Sequence, residues 1–442
     1  MMSRKMKYSS IITVLLLSFI IQGNIFAQEA PATKNHKKIL LINGTAHIGT
    51  GKVITKSAIG IENDKIVLVK DALAYSYKKE DYDTIIDLKG KHVYPAFIAP
   101  NTTLGLTEIE AVRASVDERE TGIFNPHVRS LIAFNTDSRV TPTVRTNGVL
   151  IGQITPRGGV ISGTSSIVHF DAWNWEDAVY KKDDGVHLNW PNSIQKSGWW
   201  AEPGPAKKSD KYNEEITKIE EFFDLAVAYN AQKTDHTVDL RLQAMNKVLK
   251  GESNLYIHAD YYREINDLVN FKKKYNLAKV VIVGGYDAHL LGKKLATNGI
   301  SVMLQRLHSL PERPEDDVNL PYKLPKLLSD AGVLFCFQNS GDMEQMGARN
   351  LPFYAGTAVS FGLDYEKAIA ALTLNSAKIL GIDNKLGSIE EGKDATLFVS
   401  EGDALDMRTN DVTLALIQGR SINLENHQER NYEKYKTKFG LK

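Results

Sequence analysis

The sequence predicts an α/β protein, a parallel (β/α)8 barrel with a small β-sandwich built from both ends of the chain. Three observations predict it. Short apolar runs alternate with helical patterns across residues 93–384, which is the signature of a parallel sheet wrapped by helices. Strand-rich stretches without helices flank that region on both sides. Between them, KHVYPAFIAPNTTLGL (91–106) passes from apolar Val93, Tyr94, Phe97 and Ile98 into small polar Asn101, Thr102 and Thr103. A buried strand that opens into polar side chains at its C-terminal end is how such a barrel presents a site.

The N-terminus stands apart from the fold. Arg4, Lys5 and Lys7 precede an apolar run over residues 11–21, and Ile25 and Ala27 suit the −3 and −1 positions of a cleavage site before Gln28. This is the pattern of an export signal over residues 1–27, giving a periplasmic or secreted chain with no membrane attachment after cleavage. The competing reading is an uncleaved anchor, for which the run is short.

Residues 38–92 follow as the first half of the small β-domain. ILLIN, SAIGIEN, KIVLV and TIIDL are short strands separated by turns such as GTGK and ENDK. The second half is expected at 385–425, where KDATLFV and VTLALIQGRSI are again β-rich. In between, the barrel strands are read at the first stretch and at VLIGQI (149–154), SIVHF (166–170), NLYIH (254–258), KVVIV (279–283), ISVML (300–304) and VLFCF (333–337). GVHLN (185–189) is the candidate for an eighth. Glu214 to Tyr229 carries apolar residues on one helical face, and Tyr365 to Leu380 reads as a second helix. Residues 426–442 form a charged tail that reads as a solvated helix or an assembly helix.

At 442 residues the chain is too long for one small core, so a large domain with a smaller companion is expected. A net charge of +1 leaves no basic footprint for nucleic acid. The single cysteine, Cys336, excludes an intramolecular disulfide and sits in an apolar run as a buried, inert thiol.

Several of these stretches together resemble the metal-dependent amidohydrolase superfamily. Pro95, Phe97 and Ile98 match its first-strand pattern Pro-Gly-Phe-Ile-Asp-x-His-x-His, with Ala96 and Ala99 at the Gly and Asp and with Asn101 and Thr103 where the two histidines stand. KLGSIEEGKDATLFV (385–399) is similar to the family's closing β-domain motif, with Thr396 at the usual Asp. Residues 351–382 are similar to its last barrel helix, where Thr373, Asn375 and Ala377 are packing and capping residues. The resemblance spans about residues 38–425 and is nearest to imidazolonepropionase-like exported members. It implies hydrolysis of C–N bonds other than peptide bonds, in amides or cyclic amides, by a metal-activated water.

The resemblance also implies a ligand set. His258 fits the strand-five metal ligand, and Asp342 in QNSGD fits the strand-eight aspartate, both a weak metal ligand and the catalytic base. Gly284 and Gly285 stand where the strand-six histidine would be, and no strand-four ligand is apparent. Against each stands a bland reading: His258 as a hydrogen-bonded polar residue at the barrel mouth, Asp342 as a loop aspartate. Two ligands rarely hold zinc, so at most one weakly bound divalent metal is expected, and no cofactor is certain. RGGVISGTSS (157–166) reads as a tight connection between strands, or else as an anion cradle. The long segments 104–147 and 171–212 would shape the pocket, with Asn101, Thr103, Arg113 and Trp173 as substrate-binding candidates. Two functions follow. One is an amidohydrolase with most metal ligands lost; the other is a catalytically inactive ligand-binding protein, or a partner subunit of an active amidohydrolase. The expected partner is a small molecule, with self-association or pairing with a related amidohydrolase as the protein-level alternatives.

Overall fold

A computed structural model describes residues 30–199, 202–232, 237–341 and 343–441. The expected export signal lies outside the described residues. β1 (Lys38–His47), β2 (Val53–Glu62), β3 (Lys65–Asp71), β4 (Thr84–Asp87) and β5 (His92–Pro95) come first. The barrel opens with β6 (Phe97–Thr102), β7 (Val149–Ile154), β8 (Ile161–His169) and β9 (Val179–Asn189). Residues 190–199 and 202–211 hold two small strand pairs, β10 (Ile194–Gln195) with β13 (Lys207–Lys208), and β11 (Gly198–Trp199) with β12 (Glu202–Pro203). The barrel continues with β14 (Asn254–Ala259), β15 (Val280–Gly284), β16 (Ser301–Leu304) and β17 (Phe335–Phe337). β18 (Leu397–Ser400), β19 (Val412–Ile417) and β20 (Arg420–Ser421) complete the strands.

Hydrogen bonding joins strands from the two ends of the described chain into one eight-stranded sheet. β5 is the hinge of that junction: it lies parallel to β1 and antiparallel to β18. Strand alternation then serves two cores at once. Leu397 and Val399 point into the small domain with Leu41, Ile59 and Leu416. Phe398, between them, points into the barrel core beside Tyr94 and Phe97. A side-chain period of two is what lets one short strand tie two layers together.

The barrel sheet runs β6-β7-β8-β9-β14-β15-β16-β17, so GVHLN is a barrel strand, the C-terminal half of β9. β8 departs from the parallel expectation, because it is antiparallel to both neighbours. The reason is the connection, residues 155–160, which is far shorter than the dozen or so residues a parallel crossover needs. The remaining strands pair in parallel. The helices Tyr365–Leu372 and Leu374–Leu380 pack across the seam between β17 and β6. Their small residues Ala368, Ala371 and Ala377 are fully buried there and allow the close approach.

Gly148 shows how tightly the two cores are keyed. Its φ is +81°, and a Cβ there would lie 2.5 Å from the Phe398 ring. Replacing Phe398 with Ala should therefore open a cavity shared by both layers. The expected cost is about 3–5 kcal/mol, read as a lower midpoint in urea unfolding with one cooperative transition.

Candidate functional site

Parallel strands β6, β7, β9, β14, β15, β16 and β17 all end at one mouth, and their last residues supply its side chains. β6 ends in Asn101 and Thr102. Asn101 is fully buried with φ +50°, a left-handed conformation that Asn tolerates better than most residues. This kink turns its carbonyl and its amide oxygen toward one partner and its N–H toward another. The N–H donates to Gln153 Oε1 on β7 at 2.9 Å. Arg157, just past β7, donates through Nη1 to Asn101 Oδ1 at 3.0 Å and through Nη2 to the Asn101 carbonyl at 2.9 Å. Asn101 Nδ2 donates to Gln338 Oε1 at 3.4 Å, which bridges the first and last strands of the barrel.

The Arg157 guanidinium is a largely buried cation of this mouth. Its Nη2 also donates to Glu344 Oε1 at 2.7 Å, and both side chains are largely buried. The short connection after β7 explains its place, because a hairpin leaves Arg157 at the turn directly over the strand ends. The backbone of the long segment 104–147 passes beside it: Arg157 N–H donates to the Glu118 carbonyl at 2.7 Å.

Below Arg157 lies a chain of polar groups strung across β7, β8, β9 and β14. Asp184 on β9 is fully buried. It accepts from Ser165 Oγ at 2.7 Å, Gln153 Nε2 at 3.0 Å and Tyr256 OH at 2.6 Å. Burial raises its carboxyl above the ordinary value, and those three donors oppose the rise. Ser165 Oγ also lies 2.9 Å from His187 Nε2, and His187 Nδ1 lies 3.1 Å from His258 Nε2. Burial drives His258 down to about 3, with the Arg157 charge adding to it. His187 is driven well below its usual value by burial, then by His258 and Arg157. Both rings are neutral at physiological pH.

Asp260 follows β14 and has a different environment. Its Oδ1 is buried and has no hydrogen-bond partner. Burial first, then the neighbouring Glu264 and Glu312, raise its carboxyl to about 7. Gly284, at the end of β15, makes room for it: a Cβ on Gly284 would lie 2.3 Å from Asp260 Oδ1. Thr103 Oγ1 and Gln338 Nε2, at the ends of the first and last strands, are also buried without a partner. Unpaired buried polar atoms are uncommon in folded proteins and call for an occupant, whether water or ligand. Here three of them sit at strand ends of one face.

Each expected site residue now has a place. Asn101, Thr103 and His258 come to this mouth. Asp342 lies outside the described residues. Arg113 is exposed and donates to the Val116 carbonyl of its own loop. Trp173 is 66% exposed and follows the antiparallel β8, which carries it to the opposite end of the barrel. Neither belongs to the Arg157 cluster. The sequence reading missed Gln153, Arg157, Asp184, His187, Gln338 and Glu344. One signal was available: with GVHLN counted as the fourth strand, His187 falls on strand four beside His258. Among the described residues, no group of three or more His, Cys, Asp or Glu side chains could hold a metal ion.

Two outcomes follow from this geometry. Asp184→Ala should leave Ser165, Gln153 and Tyr256 without their shared acceptor and cost about 3–5 kcal/mol in chemical denaturation. Asp260 holds its proton to about 7 in the folded chain but only to about 3.9 when unfolded, so its ionisation opposes folding. Its contribution to stability therefore falls as pH rises from about 4 to about 7. Asp260→Asn should match the wild type at pH 4 and exceed it by about 2–4 kcal/mol at pH 8, measured by urea titration at both pH values.

Known proteins share this architecture. Residues 314–422 match the model of the amidohydrolase family. Amidohydrolase tasK of Hapsidospora irregularis is 22% identical over 173 residues, covering 38% of this chain and 17% of its own length, so the match spans under a fifth of that relative. Among solved structures, an amidohydrolase from Thermotoga maritima MSB8 superposes with a TM-score of 0.73 at 24% identity, covering 87% of this chain and 99% of its own. A Xaa-Pro dipeptidase with bound methionine in the active site gives 0.51 at 14% identity, with 87% and 99% covered. A zinc-bound adenosine deaminase from Xanthomonas campestris also gives 0.51 at 14%, with 90% and 98% covered.

Proposed function

We propose that this chain, which carries an amidohydrolase family domain over residues 314–422 on an amidohydrolase-type barrel, uses its mouth to bind a small acyl or carboxylate compound through a guanidinium rather than through a metal centre. The observation that carries this reading is Arg157 bound in a fork to Asn101, the residue at the family's first metal-binding histidine. The donor set does not fit a divalent cation. Asn101 has its amide oxygen and carbonyl committed to Arg157, Thr103 offers only a hydroxyl, Gly284 offers nothing, and a fixed positive charge stands beside both histidines. Zinc sites take three or four protein ligands, and a cation among them opposes the metal's own charge. The Arg157 fork already faces Asn101 and Glu344, so a ligand's carboxylate or carbonyl would be met by Gln338 Nε2 and Thr103 Oγ1, donors in search of an acceptor, beside the guanidinium charge.

In this reading the protein is a hydrolase relative that recognises the acyl part of its ligand without the family's two-metal chemistry. It fits an exported ligand-binding protein or a partner subunit better than a metal-dependent catalyst. A second reading, metal-independent hydrolysis of a C–N bond, is favoured by Asp260 alone. A buried carboxyl titrating near 7 is suited to donate a proton to a leaving nitrogen.

The test uses N-acetylglycine, a minimal compound with both an amide and a carboxylate. Calorimetry on chelator-treated mature protein should show binding, about tenfold or more weaker in Arg157→Met, with no gain on adding zinc. Binding that requires zinc, or that is indifferent to Arg157, would overturn the proposal. Release of glycine, abolished by Asp260→Asn, would establish the second reading instead.

A further inference from the structure

The opposite end of the barrel holds a cavity apart from the mouth. A cavity of about 200 Å³ opens at the N-terminal ends of β9, β14, β15 and β16. Lys181, Lys279 and Lys378 line it, together with Ser253, Asn254 and Ser301. Glu252 is its one acidic lining residue, and it presents its backbone carbonyl to Lys279 Nζ at 3.3 Å. Lys181 Nζ donates to the Leu380 carbonyl at 2.7 Å, which leaves two of its three protons for other acceptors. Among the described residues, none of the three ammonium groups forms an ion pair with a carboxylate.

Lys181 and Lys279 repel each other across the cavity, a repulsion that Asp184 on Lys181 and Glu390 on Lys378 offset only from beyond ion-pair distance, and Lys181 is half-buried where water screens it least. Gly381 keeps the wall back from it. A Cβ at that position would lie 2.9 Å from Lys181 Nζ, and its φ of +66° suits glycine. Lys279 and Lys378 are exposed at the rim, on the segment before β15 and on the helix Leu374–Leu380, so they face the opening from two different elements. The residues are therefore a convergent set of ammonium, hydroxyl and amide groups around a space large enough for a small ion.

We propose that this cavity binds a small, multiply charged oxyanion of the size of inorganic phosphate, held by Lys181, Lys279 and Lys378. The ion would offset most of the charge of the three lysines and brace the starts of β9 and β15 against the helix Leu374–Leu380. Because the site lies at the N-terminal ends of the barrel strands, its occupant would act on stability rather than on ligand turnover.

The experiment is calorimetric and thermal titration of the mature full chain with inorganic phosphate at constant ionic strength. Acetate and chloride serve as the singly charged comparison. Saturable phosphate binding with a rise in melting temperature is expected, with acetate and chloride inert. The double variant Lys279→Gln/Lys378→Gln changes only exposed side chains and should fold. It should bind phosphate about a hundredfold more weakly, tenfold for each charge-assisted hydrogen bond removed. The control Lys323→Gln/Lys326→Gln, on the helix Leu320–Asp330, should bind like the wild type. An equal response to acetate or chloride, an equal loss in the control pair, or unchanged phosphate binding in the Lys279/Lys378 pair would each overturn the proposal, as would the absence of any phosphate binding.

Discussion

The buried carboxyl of Asp184 is the constraint on which the mouth depends. It sits on β9 and gathers donors from β7, β8 and β14, so four strands of the barrel are cross-linked at one point. Each donor then has a second duty. Gln153 turns its carbonyl oxygen to the Asn101 N–H and so holds the kink of β6. Ser165 meets His187, which meets His258. Tyr256 receives Asn254 Nδ2, which also reaches the Ile379 carbonyl of the seam helix. A buried network of this kind is favourable only when every member is satisfied, and that requirement fixes strand register as firmly as packing does.

Charge at the mouth follows from that scaffold. Asn101 is held by Gln153 in a conformation that offers two acceptors in one direction, and a guanidinium fork matches them. The resulting fixed cation, with burial, keeps His187 and His258 neutral. Glu344 balances Arg157 from the short helix Glu344–Gly347 that follows β17, so the first and last strands of the barrel are joined by polar contacts as well as by the helices behind them.

The small sheet and the barrel are also less separable than their sequence positions suggest. β5 and β6 are consecutive, with Ala96 between them, and Tyr94 stacks on His47 while its ring meets Phe398. His47 in turn bonds Glu366 on a barrel helix at 2.7 Å and His92 at 3.0 Å. Aromatic stacking and these two hydrogen bonds make the junction a packed layer.

Much of this was legible in the sequence. Apolar runs of strand length, glycine- and asparagine-bearing turns, and the 3.6-residue pattern of the helices are local signals, and they located the barrel strands and both halves of the composite sheet. The polar end of β6 was legible too, since Asn101 and Thr103 interrupt an apolar run. The mouth itself was not. Arg157, Asp184, His187 and Gln338 come from different strands and meet only after the barrel closes, and nothing in their local sequence distinguishes a polar residue facing the mouth from one facing solvent. The antiparallel turn of β8 decided the rest: it brought Arg157 over the strand ends and sent Trp173 to the far side. So short a connection allows only a hairpin, but which side chains that hairpin brings together is set by tertiary register.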